Sequence, residues 1–241
     1  MLVAGSDIHS IANGRVLESE WLETAPALAA ERNLRDLVHL NRWFGGHRAL
    51  LQVLQKLVHP QDRFSVLDVG AASGDMGKCI SRSYKHAVVV SLDHRITHLR
   101  QATPPRVVAD AFALPFRDHS FDYVFCSLLL HHFSDRRAVA LVGKLLRFAR
   151  RALIVLDVER HPLAYFFLPL TRWLLYWSDL TVHDGRVSVA ASFKADELRG
   201  IGQRAGAKEA QIRRHWPWFR ISMVIPSNPN DRRDTWAGET A

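Results

Sequence analysis

The chain has 241 residues, of which 48% are hydrophobic, and a formal net charge of +8. This length and apolar content suit one domain with a large core. The basic residues are mostly scattered arginines, such as the pairs Arg213–Arg214 and Arg232–Arg233, without interleaved aromatic residues. The pattern therefore argues against a nucleic-acid interface and leaves a general attraction to acidic ligands or membrane surfaces.

The cysteine content and the N-terminal residues indicate the cellular compartment of the protein. Cys79 and Cys126 are too few for a disulfide framework or a metal cluster, so we expect two reduced thiols. Residues 1–14 lack the basic head and long apolar run of a secretion signal. We therefore expect a cytoplasmic protein without a metal site.

Two helices are predicted before the first strand. Residues 31–44 place apolar side chains at helical spacing, Gly45–Gly46 interrupts the pattern, and residues 47–58 resume it until Pro60. Residues 1–61 are thus predicted to be an N-terminal helical cover.

Residues 66–75 predict a buried strand, a loop of small residues and a helix. Such a loop lets a ligand approach the backbone and the N–H groups of the next helix. Asp68 at the strand end and Asp75 after Gly74 would repel a pyrophosphate. The loop instead suits a ligand that carries an ammonium and a sulfonium group, such as S-adenosylmethionine.

Further strands follow at regular distances. Residues 86–92 end in Asp93, whose carboxylate can accept both hydroxyls of a ribose, and residues 107–109 end in Asp110, which could bind an adenine edge. Residues 121–127 and 152–157 supply two more strands, with an amphipathic helix over 136–151 between them. This alternation predicts an α/β fold with a doubly wound, mostly parallel sheet.

Three short motifs strengthen this interpretation: Leu-Pro-Phe at 114–116, Phe-Asp-Tyr-Val at 121–124 and Leu-His-His-Phe at 130–133. With the loop after residue 66 they resemble the class I S-adenosylmethionine-dependent methyltransferases, in particular their small-molecule branch, which includes ubiquinone and menaquinone methyltransferases. The resemblance covers residues 62–160. It implies a seven-stranded sheet and a cofactor-binding core.

The resemblance also implies which residues bind the cofactor. Asp68 and the loop glycines would shape the methionine end of the pocket, and Ala72 stands where the family usually has a glycine, which leaves slightly less room. Asn41 and Arg42, in the leading helices, are candidates to reach the pocket. Each of them could instead be a surface residue or a helix cap. The implied cofactor-binding residues are Asp68, Gly70, Ala71, Ala72, Gly74, Asp93, His94, Asp110, Ala111 and Ser127.

Two adjacent histidines follow the fourth predicted strand. His131 and His132 lie where the carboxyl ends of parallel strands face the ligand crevice. A neutral histidine can accept a phenolic proton near neutral pH. One of the pair is therefore a candidate general base, although a structural role for both stays open.

Residues 161–193 form a predicted insert after the fifth strand. Residues 163–177 are apolar nearly all round, but fifteen residues with Pro169 and Arg172 among them are too short to span a bilayer. The segment fits a buried helix, a lid over an apolar acceptor or a helix at a membrane surface. In the lid interpretation the substrate pocket is walled by Tyr165, Trp173 and Tyr176.

The C-terminal part completes a single methyltransferase domain. A helix over 195–205 and antiparallel strands over 209–216 and 220–225 are predicted within a closing unit, 194–226, and residues 227–241 look like a frayed tail.

The sequence predicts methyl transfer to a small hydrophobic or aromatic acceptor, by O-methylation of a phenolic, polyketide-like or quinone-like compound. Two alternatives stay open: an RNA-modifying methyltransferase and a non-catalytic protein that binds the cofactor. The oligomeric state is not predicted.

Overall fold

The structure is a computed structural model that describes residues 14–227. The predicted tail therefore lies outside the described residues from residue 228 onward, as do residues 1–13 of the segment examined for a secretion signal. Seven strands form one sheet in the order β3-β2-β1-β4-β5-β7-β6. The strands are β1 (Phe64–Val69), β2 (Ala87–Asp93), β3 (Arg106–Val108), β4 (Phe121–Ser127), β5 (Ala149–Val158), β6 (Gln211–His215) and β7 (Arg220–Pro226).

Seven α-helices accompany the sheet within residues 14–227. They are α1 (Ala27–Trp43), α2 (Gly46–Leu57), α3 (Asp75–Ser83), α4 (Asp135–Phe148), α5 (Pro162–Leu175), α6 (Asp179–Ala191) and α7 (Ala195–Arg204). No helix among these described residues is both long enough and apolar enough to cross a bilayer.

The pairing of the strands confirms the predicted α/β fold. β1 lies between β2 and β4, parallel to both, and β5 continues the parallel arrangement beside β4. The last two strands form an antiparallel pair, and β7 is also antiparallel to β5. The predicted doubly wound, mostly parallel sheet of seven strands is therefore correct.

Alternating side chains of the central strands build two core layers. Leu67 of β1 and Leu153 of β5 belong to the layer that α4 and α7 cover. Val66 and Ile154, one residue away in each strand, belong to the layer that α2 and α3 cover. Because successive strand residues point to opposite faces, both faces are buried, as the apolar runs of these strands require.

The insert after β5 differs from its prediction. It contains two helices, α5 and α6, and the chain between β5 and α7 runs through both. The helices pack closely: a Cβ atom at Gly185 of α6 would collide with the Leu168 side chain of α5. A side chain at position 185 would therefore require the end of the Leu168 side chain to move.

The segment that precedes α1, residues 14–24, is here called the strap. Val16 N donates to Ala190 O at 3.1 Å, and the backbone N–H groups of Trp21 and Leu22 donate to the Asp184 carboxylate at 2.9 and 3.0 Å. The strap is thus fastened to α6 along its length.

Candidate functional site

A cavity of about 600 Å³ lies at the carboxyl end of the parallel strands. This is where open α/β sheets bind ligands. Nine of the ten residues predicted to bind the cofactor line it, Gly74 being the exception, and so do both predicted catalytic histidines. The lining residues among those predictions are Asp68, Gly70, Ala71, Ala72, Asp93, His94, Asp110, Ala111, Ser127, His131 and His132.

Gly74 shapes the loop between β1 and α3 without lining the cavity. It is the N-cap of α3 with a φ of +68°, and a Cβ atom there would lie 2.6 Å from the Cβ of Ala102. Both the left-handed backbone and the close approach require glycine. Ala72, the residue that stands where the family usually has a glycine, also has a positive φ, of 46°. Alanine adopts this left-handed backbone conformation only at a cost in conformational energy.

Asp68 is the last residue but one of β1 and is 1% exposed. Burial, together with repulsion from Asp75 and Asp93, raises the pKa of Asp68 to about 8. Its Oδ2 atom has no hydrogen-bond partner within residues 14–227. A buried acceptor without a partner at the wall of a cavity fits a ligand that brings a cationic donor, such as the ammonium group of a methionine moiety.

Asp93 ends β2 and is also buried, but its surroundings favour the charged form. Burial would raise the pKa of Asp93, whereas hydrogen bonds from His98 and the Arg95 backbone, with further help from Ala72 N, lower it. Its Oδ2 accepts from Ala72 N at 3.0 Å, and its Oδ1 accepts from Arg95 N at 3.0 Å. The carboxylate therefore joins the glycine-containing loop to the end of β2 while still lining the cavity.

The third and fourth strands supply the remaining polar groups. Asp110 Oδ1 accepts from Phe112 N at 2.8 Å, which fixes the turn after β3, and Asp110 lines the cavity. The hydroxyl of Ser127, at the end of β4, has no hydrogen-bond partner in the part of the chain that the structure describes. Both positions can bind polar edges of a nucleoside.

His131 is held between two carboxylates. Its Nδ1 lies 2.7 Å from Asp157 Oδ1, and its Nε2 lies 3.6 Å from Glu20 Oε1. Burial would lower the pKa of His131, but attraction to Asp157, the hydrogen bond with Asp157 and attraction to Glu20 raise it to about 10. The side chain is therefore an imidazolium at neutral pH, which cannot accept a proton, and the prediction of His131 as a general base does not fit its surroundings.

His132 has the opposite electrostatics. Its ring is accessible at the cavity mouth, yet protein surrounds most of it. The largest cause of the lowered pKa of His132 is this burial, which removes water from the ring, and the second is the positive charge on His131. A neutral imidazole at the cavity wall can accept a proton, so His132 is the better candidate base of the two.

Glu20 belongs to the site although its sequence context contains no motif that points to it. Ser188 donates a hydrogen bond to Glu20 Oε1, and the carboxylate faces His131. Burial would raise the pKa of Glu20, but hydrogen bonding and attraction from the two histidines lower it to about 2. Glu20, His131 and His132 offer ligand atoms within 4.8 Å of one another and could hold a metal ion, although the ion pair already balances these charges without one.

Of the two candidates in the leading helices, the structure brings only Asn41 to the cavity. Asn41 is buried, and its Nδ2 donates to Asp75 Oδ2 at 3.1 Å. The guanidinium of Arg42 lies 5.2 Å from the ring centroid of Trp43, and Arg42 does not line the cavity.

The structure does not bring the predicted substrate wall to the cavity. Tyr165 is buried against Val189 and Phe166, and its hydroxyl accepts a hydrogen bond from Arg186. Trp173 and Tyr176 are 76% and 80% exposed on the outside of α5. The lid prediction is therefore corrected for these residues, because α5 lies against α6 and turns its remaining apolar side chains outward.

Comparisons with known proteins agree with this geometry. Residues 67–153 match the family model described as a methyltransferase domain. Malonyl-[acyl-carrier protein] O-methyltransferase 1 of Coxiella burnetii is 37% identical over 70 residues, which are 29% of this chain and 25% of that protein. Demethylmenaquinone methyltransferase of Thermotoga maritima is 34% identical over 79 residues, which are 31% of this chain and 34% of that protein.

The matches therefore span about a quarter to a third of these curated relatives. Among solved structures, human N-acetylserotonin methyltransferase in complex with SAM superposes with a TM-score of 0.60 at 16% identity, covering 92% of this chain and 65% of that one. This likeness concerns the fold. Residues 67–153 are thus a methyltransferase domain, and the chain has the fold of the class I S-adenosylmethionine-dependent methyltransferases.

Proposed function

We propose that the protein transfers a methyl group from S-adenosylmethionine to a small hydrophobic acceptor, at the hydroxyl of a phenolic, polyketide-like or quinone-like compound. The observation that carries the proposal is the cavity in which acidic strand ends and a histidine pair meet. The activities named for the relatives, an O-methyltransferase and a demethylmenaquinone methyltransferase, also support a small acceptor.

The residues present fit the cofactor. The buried Oδ2 atom of Asp68, which has no partner in the described residues, suits the ammonium group of the methionine moiety, and the ionised Asp93 suits the ribose hydroxyls. Asp110 and Ala111 would hold the adenine. When bound, the cofactor supplies a methyl group already activated by its sulfonium.

The protein then has to orient the acceptor and manage one proton. His132, whose imidazole is neutral, accepts the proton of the acceptor hydroxyl. Burial, followed by the charge on His131, lowers the pKa of His132, so His132 enters this step unprotonated. The strap, through Glu20 and Leu22, walls the same cavity and limits the access of water.

The test is turnover with a panel of small phenols and quinols, followed by mass spectrometry for products heavier by one methylene unit. His132→Ala should keep cofactor affinity and lose roughly 10²–10⁴-fold in turnover. His94→Ala is a matched control: it removes another cavity histidine, which we expect to affect cofactor affinity and to leave turnover at saturating cofactor near normal.

Each result has a distinct meaning. Cofactor binding without turnover of any acceptor would favour the non-catalytic alternative. Near-normal turnover in His132→Ala would refute the general-base role and leave alignment of the reactants as the source of catalysis.

A further inference from the structure

Helix α5 presents apolar side chains to solvent along one side. Leu163, Leu170, Trp173 and Leu174 are 64%, 70%, 76% and 58% exposed. Leu170 follows Leu163 by seven residues, and Trp173 and Leu174 follow Leu170 by three and four, which places all four on one face of the helix, over about 16 Å of its length. We call these four residues the outer stripe. A continuous exposed apolar stripe of this kind on a folded protein marks a binding surface.

The packing of the opposite side of α5 explains why the outer stripe is exposed to solvent. Tyr165 and Leu168 are buried, and Leu168 packs directly on Gly185 of α6. At the end of the helix Trp177 is buried too, with its ring centroid 6.1 Å from that of Phe44. Both ends of α5 are thus fixed to the domain, so the outer stripe cannot turn inward to cover the cavity.

Cationic side chains lie beside the outer stripe. Arg32 of α1 donates to Tyr176 O at 3.2 Å, immediately after the end of α5. On α1, Arg32, Arg35, His39 and Arg42 follow one another at helical spacing on an exposed face, which we call the basic stripe. The acidic side chains nearby are Glu31, which lies 3.4 Å from Arg35, and Asp179, which pairs with Arg172.

A shallow hollow of about 420 Å³ lies where the two stripes meet. It is lined by Arg32, Pro169, Arg172, Trp173, Tyr176 and Trp177. Two guanidinium groups beside exposed aromatic rings can bind a phosphate, and tryptophan and tyrosine favour the boundary between headgroups and acyl chains.

We propose that α5 and the basic stripe of α1 dock the protein on the surface of a bilayer that contains anionic phospholipids. The outer stripe enters the boundary between headgroups and acyl chains, and the hollow holds a lipid phosphate between Arg32 and Arg172. Charge complementarity selects this occupant, because the exposed apolar residues are bordered by arginines and the chain has a formal net charge of +8.

The experiment is co-sedimentation of the purified protein with vesicles of phosphatidylcholine alone or with phosphatidylglycerol added, at physiological salt. We expect binding to the anionic vesicles and little to the neutral ones. The variant Leu170→Gln/Trp173→Gln should weaken binding roughly tenfold or more, since both side chains are exposed and glutamine keeps the helix. Arg32→Glu should also weaken it.

Arg63→Glu is the matched control for charge. Arg63 is exposed and precedes β1, at the amino end of the parallel strands, whereas α5 follows the carboxyl end of β5. This variant should bind like the wild type. Because vesicle binding is measured without substrate, its failure is distinguishable from failure of the proposed methyl transfer.

Three outcomes would overturn the proposal. The first is no binding to anionic vesicles, and the second is binding that the outer-stripe variant leaves unchanged. The third is a dimer, seen by light scattering, that Leu170→Gln/Trp173→Gln converts to a monomer, because the stripe would then be covered by a second copy of the chain. Equal loss of binding in Arg63→Glu would mean that net charge alone is responsible.

Discussion

Binding of S-adenosylmethionine should release a proton from Asp68. In the ligand-free protein the pKa of this carboxyl is raised to about 8, so at pH 7 it holds about 0.9 proton. An ammonium group against Oδ2 would return the pKa toward its ordinary range and expel that proton. If the shift is complete, affinity rises roughly 50-fold between pH 6 and pH 8 and changes little above that range.

Isothermal titration calorimetry in buffers with different ionisation enthalpies measures the released proton directly. Asp68→Asn should abolish the release and flatten the pH dependence of affinity. Asp110→Asn is the control: this cavity carboxyl is not among the groups that raise the pKa of Asp68, so this variant should bind more weakly yet still release the proton. A wild type that binds with no proton exchange at pH 7 would refute the assignment of Asp68 to the ammonium group.

Further predictions concern single groups. Asp93→Ala should weaken cofactor binding by about 1.5–3 kcal/mol in a calorimetric titration, and unchanged affinity would remove Asp93 from the site. Glu20→Gln should lower the pKa of His131 from about 10, as followed by NMR of the ring, because one of the two carboxylates that raise this pKa loses its charge; an unmoved titration would contradict this pairing. Tyr165→Ala should cost about 3 kcal/mol in chemical denaturation, whereas Trp173→Ala should stay within about 0.5 kcal/mol; equal losses would contradict the orientation of α5. Turnover should be insensitive to a chelator, since Glu20 already pairs with His131; a loss restored by zinc or manganese would instead assign these groups to a metal. Because the pKa of Asp68 is raised in the native state, the native state binds more protons than the unfolded state between pH 4 and pH 8, and this group lowers stability as pH rises. The melting temperature of ligand-free Asp68→Asn should therefore depend less on pH than that of the wild type across this range.

The strands and their order of appearance were predictable because their residues leave few alternatives. Val66–Leu67 and Leu153–Ile154 are apolar on consecutive positions, which suits only strands buried on both faces. The small residues after Val69 then predicted the loop, and the acids at the next strand ends predicted the cavity wall. The boundary between α4 and β5 was less accurate: the predicted helix extended to 151, whereas β5 already begins at Ala149.

Helix α6 was not predicted because its local preferences are weak. Thr181, Val182, Val187 and Val189 are β-branched and Gly185 lies among them, so intrinsic helix propensity is low. Its capping serine, Ser178, and its close packing on α5 stabilise the helix instead. Long-range packing of this kind has no local pattern in the sequence.

Two parts of the site depended on contacts that only the fold creates. Glu20 lies far along the chain from His131, and no spacing rule connects them. For the same reason the raised pKa of His131 was not predictable, since it comes from Glu20 and Asp157 together. The orientation of α5 could not be predicted from the sequence either, because a helix that is apolar nearly all round has no pattern that indicates which side packs on the domain.

The strap has a consequence for the kinetics of the protein. Arg15 donates to the backbone carbonyls of His131 and Phe133, at 3.1 and 2.9 Å, and Glu20 faces the His131 ring, so one short segment carries two of the charged groups that contact the histidine turn. A strap that lifts to exchange ligands breaks these contacts together with its bonds to α6. For an acceptor whose chemistry is fast, we expect this segmental motion to limit turnover, so that turnover falls as the viscosity of the medium rises.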